Sequence, residues 1–366
     1  MLHPMEVIQK TIKSYGIDAI TLFISFISVI TIASFILWDA NLAKTVIDNI
    51  YSLVVSYFGS SYLILTIVSF LFLIILATTK YGKHVLGGQD TSPEFSYFSW
   101  IGMLFCSGIG GGIIYWSGVE WAYYVGIPQF GIEAYSSEAY SLATAYGLFH
   151  WGLSAWSIYG IPAIALSIVF YKYNLNSLRL SSSLRGLGIP DIESSYFGRF
   201  IDLIFILATV GAAGGTIGSY IPMLSSGLTY LFNINNGLHI DIGVILLCVA
   251  LFGYSVYRGL EKGIRILSNF NLILALVFLC LIVFSTDVIE LLQLSVSGIQ
   301  YSFSYFWNMS TLGISEPSDF AKEWTIFYWA WWVAFGPLVG LFIARISKGR
   351  SLRQVITGML FFGTLG

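Results

Sequence analysis

The sequence predicts an all-α integral membrane protein. Of its 366 residues, 57% are hydrophobic and 17% aromatic, while only 10% are charged. The mean hydropathy is +0.80. The charged residues sit in short intervals between long apolar runs. Soluble domains carry about 25% charged residues, whereas crossing ~30 Å of hydrocarbon takes about 20 apolar residues in a helix. A β-barrel would show alternating segments of roughly ten residues. These runs are continuous, and a helix satisfies its own backbone in lipid.

Read in order, the runs predict spans at residues 17–38, 50–78, 98–125, 139–171, 200–232, 239–257, 266–286 and 323–343, with a ninth beginning near 355. Eight complete crossings follow. With the N-terminus inside, all of the 17 basic residues except Lys44 and Lys322 fall on cytoplasmic segments. Glu133, Glu138, Asp287, Glu290, Glu316 and Asp319 fall outside, so the positive-inside rule places the N-terminus in the cytoplasm of a multi-pass protein of the plasma (inner) membrane. The formal net charge of −2 hides that asymmetry. Residues 1–15 lack the basic region, short apolar core and cleavage pattern of a secretory signal, so the first span should be retained.

Between the seventh and eighth runs, residues 288–309 are too polar to span. Ile289, Leu292, Val296, Ile299 and Phe303 recur there at helical spacing, predicting an amphipathic helix along the outer interface. Cys106, Cys248 and Cys280 lie inside spans, indicating neither a disulfide framework nor a thiolate metal site. No nucleic-acid-binding stripe, phosphate loop or nucleophile with a positioned base can be assembled, so a non-enzyme without an organic cofactor is expected.

Three constellations remain. Cys106-Ser107-Gly108-Ile109-Gly110-Gly111-Gly112 puts four glycines into five residues near the middle of the third span. Each glycine weakens a helix by about 0.8–1 kcal/mol relative to alanine. Irregular backbone at that depth is tolerated where it lines a cavity, which suggests a discontinuous helix meeting an ion or substrate; close packing through small residues is the alternative. In the fourth span, Trp151, Trp156 and Tyr159 fall at about 0°, 140° and 80° around a regular helix, so all three can face one cavity. The eighth span carries Trp324, Tyr328, Trp331 and Phe335 as one stripe, with Trp332 about 80° to its side, and Gly336-Pro337 then interrupts the helix. Aromatic faces attract a quaternary ammonium, which cannot donate a hydrogen bond, at roughly 0.5–2 kcal/mol per ring. Rings packed as core or facing lipid would account for one such residue more readily than for three. His150 suits a satisfied core histidine better than a proton relay. Glu120 lies near the outer end of the third span, and apart from it the site lacks a carboxylate, which favours a zwitterion over a bare cation.

These stretches resemble the betaine/choline/carnitine transporter family. The resemblance is carried by Trp324-Thr325-x-Phe327-Tyr328-Trp329-Ala330-Trp331-Trp332 with Phe342-x-Ala344-Arg345-Ile346-Ser347-x-Gly349-Arg350, by Phe149-His150-Trp151-Gly152 with Trp156 and Tyr159, by Gly108-x-Gly110-x-Gly112 and by Gly259-Leu260-Glu261-Lys262-Gly263-Ile264. It implies two leading helices and then two inverted five-helix repeats in a homotrimer, with substrate bound midway across the bilayer. On that plan residues 1–80 hold the tail and leading helices, 81–287 the first repeat, 288–320 the amphipathic helix and outer loop, and 321–366 the start of the second repeat. The resemblance implies an aromatic box of Trp151, Trp156, Tyr159 and Trp332 for a trimethylammonium group, with Trp329 and Trp331 along the path. It also implies sodium-coupled uptake, with backbone carbonyls of Cys106 and Ile109 as sodium ligands beside Gly108, Gly110 and Gly112. The substrate would be a zwitterionic quaternary ammonium or sulfonium compound of the glycine betaine, carnitine or dimethylsulfoniopropionate type. Phe335, Ser154 and Trp121 depart from the family pattern, and the stretch around Glu120 looks nearer the carnitine branch. Family members have twelve spans and this chain ends inside the ninth, so a truncated, non-transporting fragment is the rival reading. A sodium-independent carnitine/betaine exchanger and an amino-acid carrier on the related fold are the others.

Overall fold

The computed structural model describes residues 18–108, 111–175, 179–315 and 317–365. The first helix, α1 (Ala19–Trp38), starts where the Asp18 side chain accepts the N–H groups of Ile20 and Thr21. Asp39 closes it and opens α2 (Ala40–Thr78) by accepting the Leu42 N–H. The predicted loop of residues 39–49 is therefore absent: the second helix begins ten residues earlier than its apolar run, because Asp39 serves as the end of one helix and the cap of the next. At 39 residues, α2 is about 58 Å long, more than the hydrocarbon requires.

The third predicted span falls on α3 (Tyr97–Gly108) and α4 (Gly111–Gly126). The fourth falls on α5 (Ser137–Trp151) and α6 (Leu153–Tyr173). Then come α7 (Tyr196–Phe232), α8 (Leu238–Tyr257) and α9 (Arg265–Ser285). After these follow α10 (Val288–Ser304), α11 (Phe306–Thr311), α12 (Phe327–Ile346) and α13 (Leu352–Gly358). Wider π-type turns occupy Leu260–Ile264, Ala321–Ile326 and Met359–Gly363. Among the described residues there is no β-strand beyond an isolated bridge, and seven helices are long and apolar enough to cross a membrane, Ser137–Tyr173 counting as one.

Two expectations need correction. The fourth span is not one regular helix. Gly152 takes φ −96° and ψ −132°, and a Cβ there would stand 2.3 Å from the Leu148 carbonyl oxygen. Only glycine fits, and the angular positions assigned to Trp151, Trp156 and Tyr159 on a continuous helix do not hold. The eighth span, conversely, is not interrupted at Pro337: α12 runs through it to Ile346, and its irregular turn lies at Ala321–Ile326 instead.

The chain divides into two compact units. One comprises Met1–Pro93, Ile158–Ala212 and Gly313–Arg353; the other comprises Glu94–Ser157, Ala213–Leu312 and Gln354–Gly366. In the first unit, the Tyr51 hydroxyl of α2 donates to the Lys322 carbonyl at 2.7 Å, and its ring meets Phe327 at 6.5 Å. Gly340 of α12 comes close to α6: a Cβ there would lie 2.8 Å from the Ala163 nitrogen. The Tyr171 hydroxyl adds a bond to the Ala344 carbonyl at 3.0 Å. Beyond α2, Val85 and Ser351 form an antiparallel bridge, and the Arg353 guanidinium donates to the Ala77 carbonyl at 2.6 Å and the Thr79 carbonyl at 3.3 Å. A cation over the exposed carbonyls at a helix C-terminus answers both the missing donors and the helix dipole.

In the second unit, α3 packs on α9 through Gly102, which faces Asn269 and Leu272. α10 lies against α5: the Ser141 and Ser297 hydroxyls are 3.0 Å apart, and a Cβ on Gly298 would meet Thr144 at 2.3 Å. The predicted amphipathic helix is thus present as a helix. It packs through its small residues, leaving Ile289, Leu292, Val296, Ile299 and Phe303 exposed.

Candidate substrate site

Four of the six predicted ring residues belong to the first unit. Tyr159, from α6, and Trp332, from α12, are both buried, with ring centroids 5.6 Å apart at 79°. Edge-to-face pairs of this kind add about 0.5–1.5 kcal/mol beyond the area they bury. Tyr328 stacks on Trp332 at 6.0 Å and 17°, and Trp331 approaches it at 6.2 Å. Trp329 is 1% exposed. Small residues make this convergence feasible, because Gly336 lets α12 approach Pro162 and Tyr159 without obstruction.

Trp151 and Trp156 belong to the second unit. Trp156, 2% exposed, lies over Gly363, where a Cβ would stand 2.2 Å from its ring. Trp151 ends α5, and its indole N–H donates to Oε2 of Glu120 at 2.9 Å. His150, fully buried, is hydrogen-bonded through Nδ1 to the Tyr124 hydroxyl at 2.9 Å, and that nitrogen lies 3.7 Å from Oε1 of Glu120. The carboxylate excepted in the sequence reading, Glu120, thus stands beside Trp151. Glu120 stands in α4, 31 residues back along the chain, and comes next to Trp151 because α4 and α5 pack side by side. Tyr124, one turn beyond Glu120 on the same face, was legible only as part of an aromatic-rich outer stretch.

Cys106 stands in the last turn of α3, its sulfur donating to the Ser268 carbonyl at 3.1 Å. Gly108 ends α3, and Gly112 lies within the first turn of α4. Ile109 and Gly110 lie outside the described residues.

Apolar membrane-length helices with buried aromatic rings describe a multi-pass membrane protein. Residues 20–366 match the BCCT family, betaine/carnitine/choline family transporters. The chain is similar to glycine betaine transporter 1 of Vibrio parahaemolyticus, at 32% identity over 98% of this chain and 69% of the relative. It is similar to the ectoine/hydroxyectoine transporter of Virgibacillus pantothenticus, at 32% over 96% of this chain and 69% of the relative. With the high-affinity choline transport protein of Escherichia coli it shares 34% identity over 83% of this chain and 45% of that protein. The chain belongs to the betaine/carnitine/choline transporter family, and the expectation of a non-enzyme rests on that membership.

Proposed function

We propose that this chain forms part of a secondary transporter of the plasma membrane, N-terminus inside and trimeric, that takes up a zwitterionic quaternary ammonium compound such as glycine betaine. The observation that carries the proposal is the buried Tyr159–Trp332 pair with Tyr328 stacked behind it. Aromatic faces attract a methylated ammonium, which cannot donate a hydrogen bond, at roughly 0.5–2 kcal/mol per ring. In the second unit, Trp151 and Trp156 are the further rings we propose for the substrate. Trp329 and Trp331 flank the path, and the inverted-repeat plan supplies alternating access. The names of relatives that carry glycine betaine, ectoine and choline support a small methylated or cyclic osmolyte.

Sodium is the proposed coupling ion. Its proposed ligands are carbonyls of Cys106 and Ile109, with Gly108, Gly110 and Gly112 keeping the backbone open. The position of Cys106 supports this, since carbonyls of a last helical turn point past the helix end and favour a cation.

The test is uptake of labelled glycine betaine by cells lacking their own betaine carriers and expressing the full gene product, with and without sodium. Sodium-dependent uptake that Trp332→Ala reduces at least tenfold is expected. Sodium-independent exchange would overturn the coupling, and well-inserted protein that moves neither betaine, carnitine nor a sulfonium analogue would overturn the substrate class.

A further inference from the structure

α2 carries none of the candidate site residues, yet it holds the turn from which α12 starts. Tyr51, near the start of α2, donates its hydroxyl to the Lys322 carbonyl at 2.7 Å. Lys322 lies inside the π turn Ala321–Ile326, a wider coil of the kind that recurs at functional sites and that takes carbonyls out of the regular helical ladder. A tyrosine of the interfacial belt turns its hydroxyl to water or headgroups; this one gives it to the backbone of another helix. Further along α2, Gly59 brings the helix against the same turn: a Cβ there would stand 3.0 Å from the end of the Ile326 side chain and 3.4 Å from Pro317. From Tyr51 the ring contacts run without a gap to the proposed substrate pair. Its ring meets Phe327, the first residue of α12, at 6.5 Å and 73°. Phe327 lies 5.4 Å from Trp331 and 5.7 Å from Tyr328, and both of these border Trp332. All of these residues belong to the first unit.

We propose that Tyr51 is a positioning residue for the substrate rings: its hydroxyl pins the wide turn, its ring seats Phe327, and together they set the rotation of α12 that presents Trp332 to Tyr159. The inference rests on the reading of Tyr159 and Trp332 as substrate rings. A helix turns about 100° per residue, so any rewinding of the π turn toward ordinary helix swings the rings that follow it. Gly340 fixes α12 against α6 further along. One close contact does not hold the far end of a helix whose first turn can rewind, and Tyr51 supplies the second point. The leading helix thereby takes part in recognition without touching the substrate.

The test compares Tyr51→Phe and Tyr51→Ala in the full-length protein, by amide hydrogen exchange in lipid nanodiscs and by concentration-dependent uptake of glycine betaine. Tyr51→Phe keeps the ring and removes the bond. It should raise exchange across residues 324–331 about fivefold, the effect of one ordinary hydrogen bond on a local opening, and raise KM several-fold at an unchanged maximal rate per surface protein. Tyr51→Ala should do both more strongly, and if it fails to fold, Tyr51→Phe still decides. In a Trp332→Phe background the effect of Tyr51→Phe on KM should shrink by about half or more, because residues that act through one another are not additive. Exchange as in wild type would overturn the inference whatever uptake shows. Raised exchange with KM unmoved, or a KM effect fully additive with Trp332→Phe, would overturn it too. If exchange rises in Tyr51→Phe while wild-type protein moves no glycine betaine, the hold of Tyr51 on the α12 rings stands and the transport reading falls.

Discussion

Gly340 and Ala163 stand so close that a single methyl group on Gly340 would lie 2.8 Å from the Ala163 backbone nitrogen. Backbone cannot swing aside as a side chain can, so the contact fixes how α12 lies on α6. That register determines the Tyr159–Trp332 geometry.

Gly340→Ala should therefore cost about 1–3 kcal/mol through forced displacement of packed helices, seen as a lower melting midpoint in detergent. Gly336→Ala is the control. Its added Cβ would meet Pro162 at 3.5 Å, an ordinary contact, and the variant should melt close to wild type. Equal behaviour of the two variants would show that the close approach does not constrain the fold.

At Asp18, burial works to raise the carboxyl. Against it, the hydrogen bond from Arg199 and those from the Thr21 and Ile20 N–H groups hold it below the ordinary carboxylate range. Arg199 lies at 2.7 Å and Arg179 at 3.5 Å. A lowered folded-state value means the stabilisation is present above the unfolded value of about 3.9 and is lost as pH falls through the folded one. Asp18→Asn keeps the helix cap, since Asn caps as well as Asp, but removes the ion pair. It should cost no more than about 1 kcal/mol after solvent screening at neutral pH, and the difference from wild type should shrink as pH falls through the folded-state value of Asp18.

Arg353 ties the C-terminal end of α2 to the segment that carries the Val85–Ser351 bridge. Arg353→Ala should raise amide hydrogen exchange at Leu86 and Leu352, whose N–H groups bond to the Arg350 and His84 carbonyls at 2.9 Å each. Arg353→Lys, a point charge in place of a planar fork, should protect them only in part. Unchanged exchange in both variants would assign those bonds to the bridge alone.

Within the ring cluster, Trp332→Phe should retain more betaine uptake than Trp332→Ala, because a smaller aromatic face still attracts the ammonium group. Concentration-dependent uptake separates a weakened site, read as a raised KM, from failed insertion, read as lost surface protein.

Most of the architecture was legible because lipid forces it: apolar runs of a given length must be helices, and the run boundaries lie near the helix ends. Asp39 shows where that logic fails, since one capping residue joined two helices across what read as a loop. Gly152 and Pro337 exchanged roles for a local reason. The Leu148 carbonyl leaves no room for a Cβ at Gly152, whereas Pro337 is accommodated inside α12 without ending it. The ring residues were legible by type; Trp151 and Trp156 fall in one unit and Tyr159 and Trp332 in the other. The partnership of Glu120 with Trp151 depends on helix packing that spacing alone does not encode.

The π turn at Ala321–Ile326 stores one residue more than the α-turn it replaces. It therefore acts as slack in the thread. Removing one residue inside Ala321–Ile326 would let the turn revert to ordinary helix and leave the rings from Phe327 onward in place. The same deletion within α12 would rotate every later side chain by about 100° and carry Trp332 off Tyr159. Insertions and deletions drifting through such a sequence are thus absorbed ahead of the rings and penalised among them.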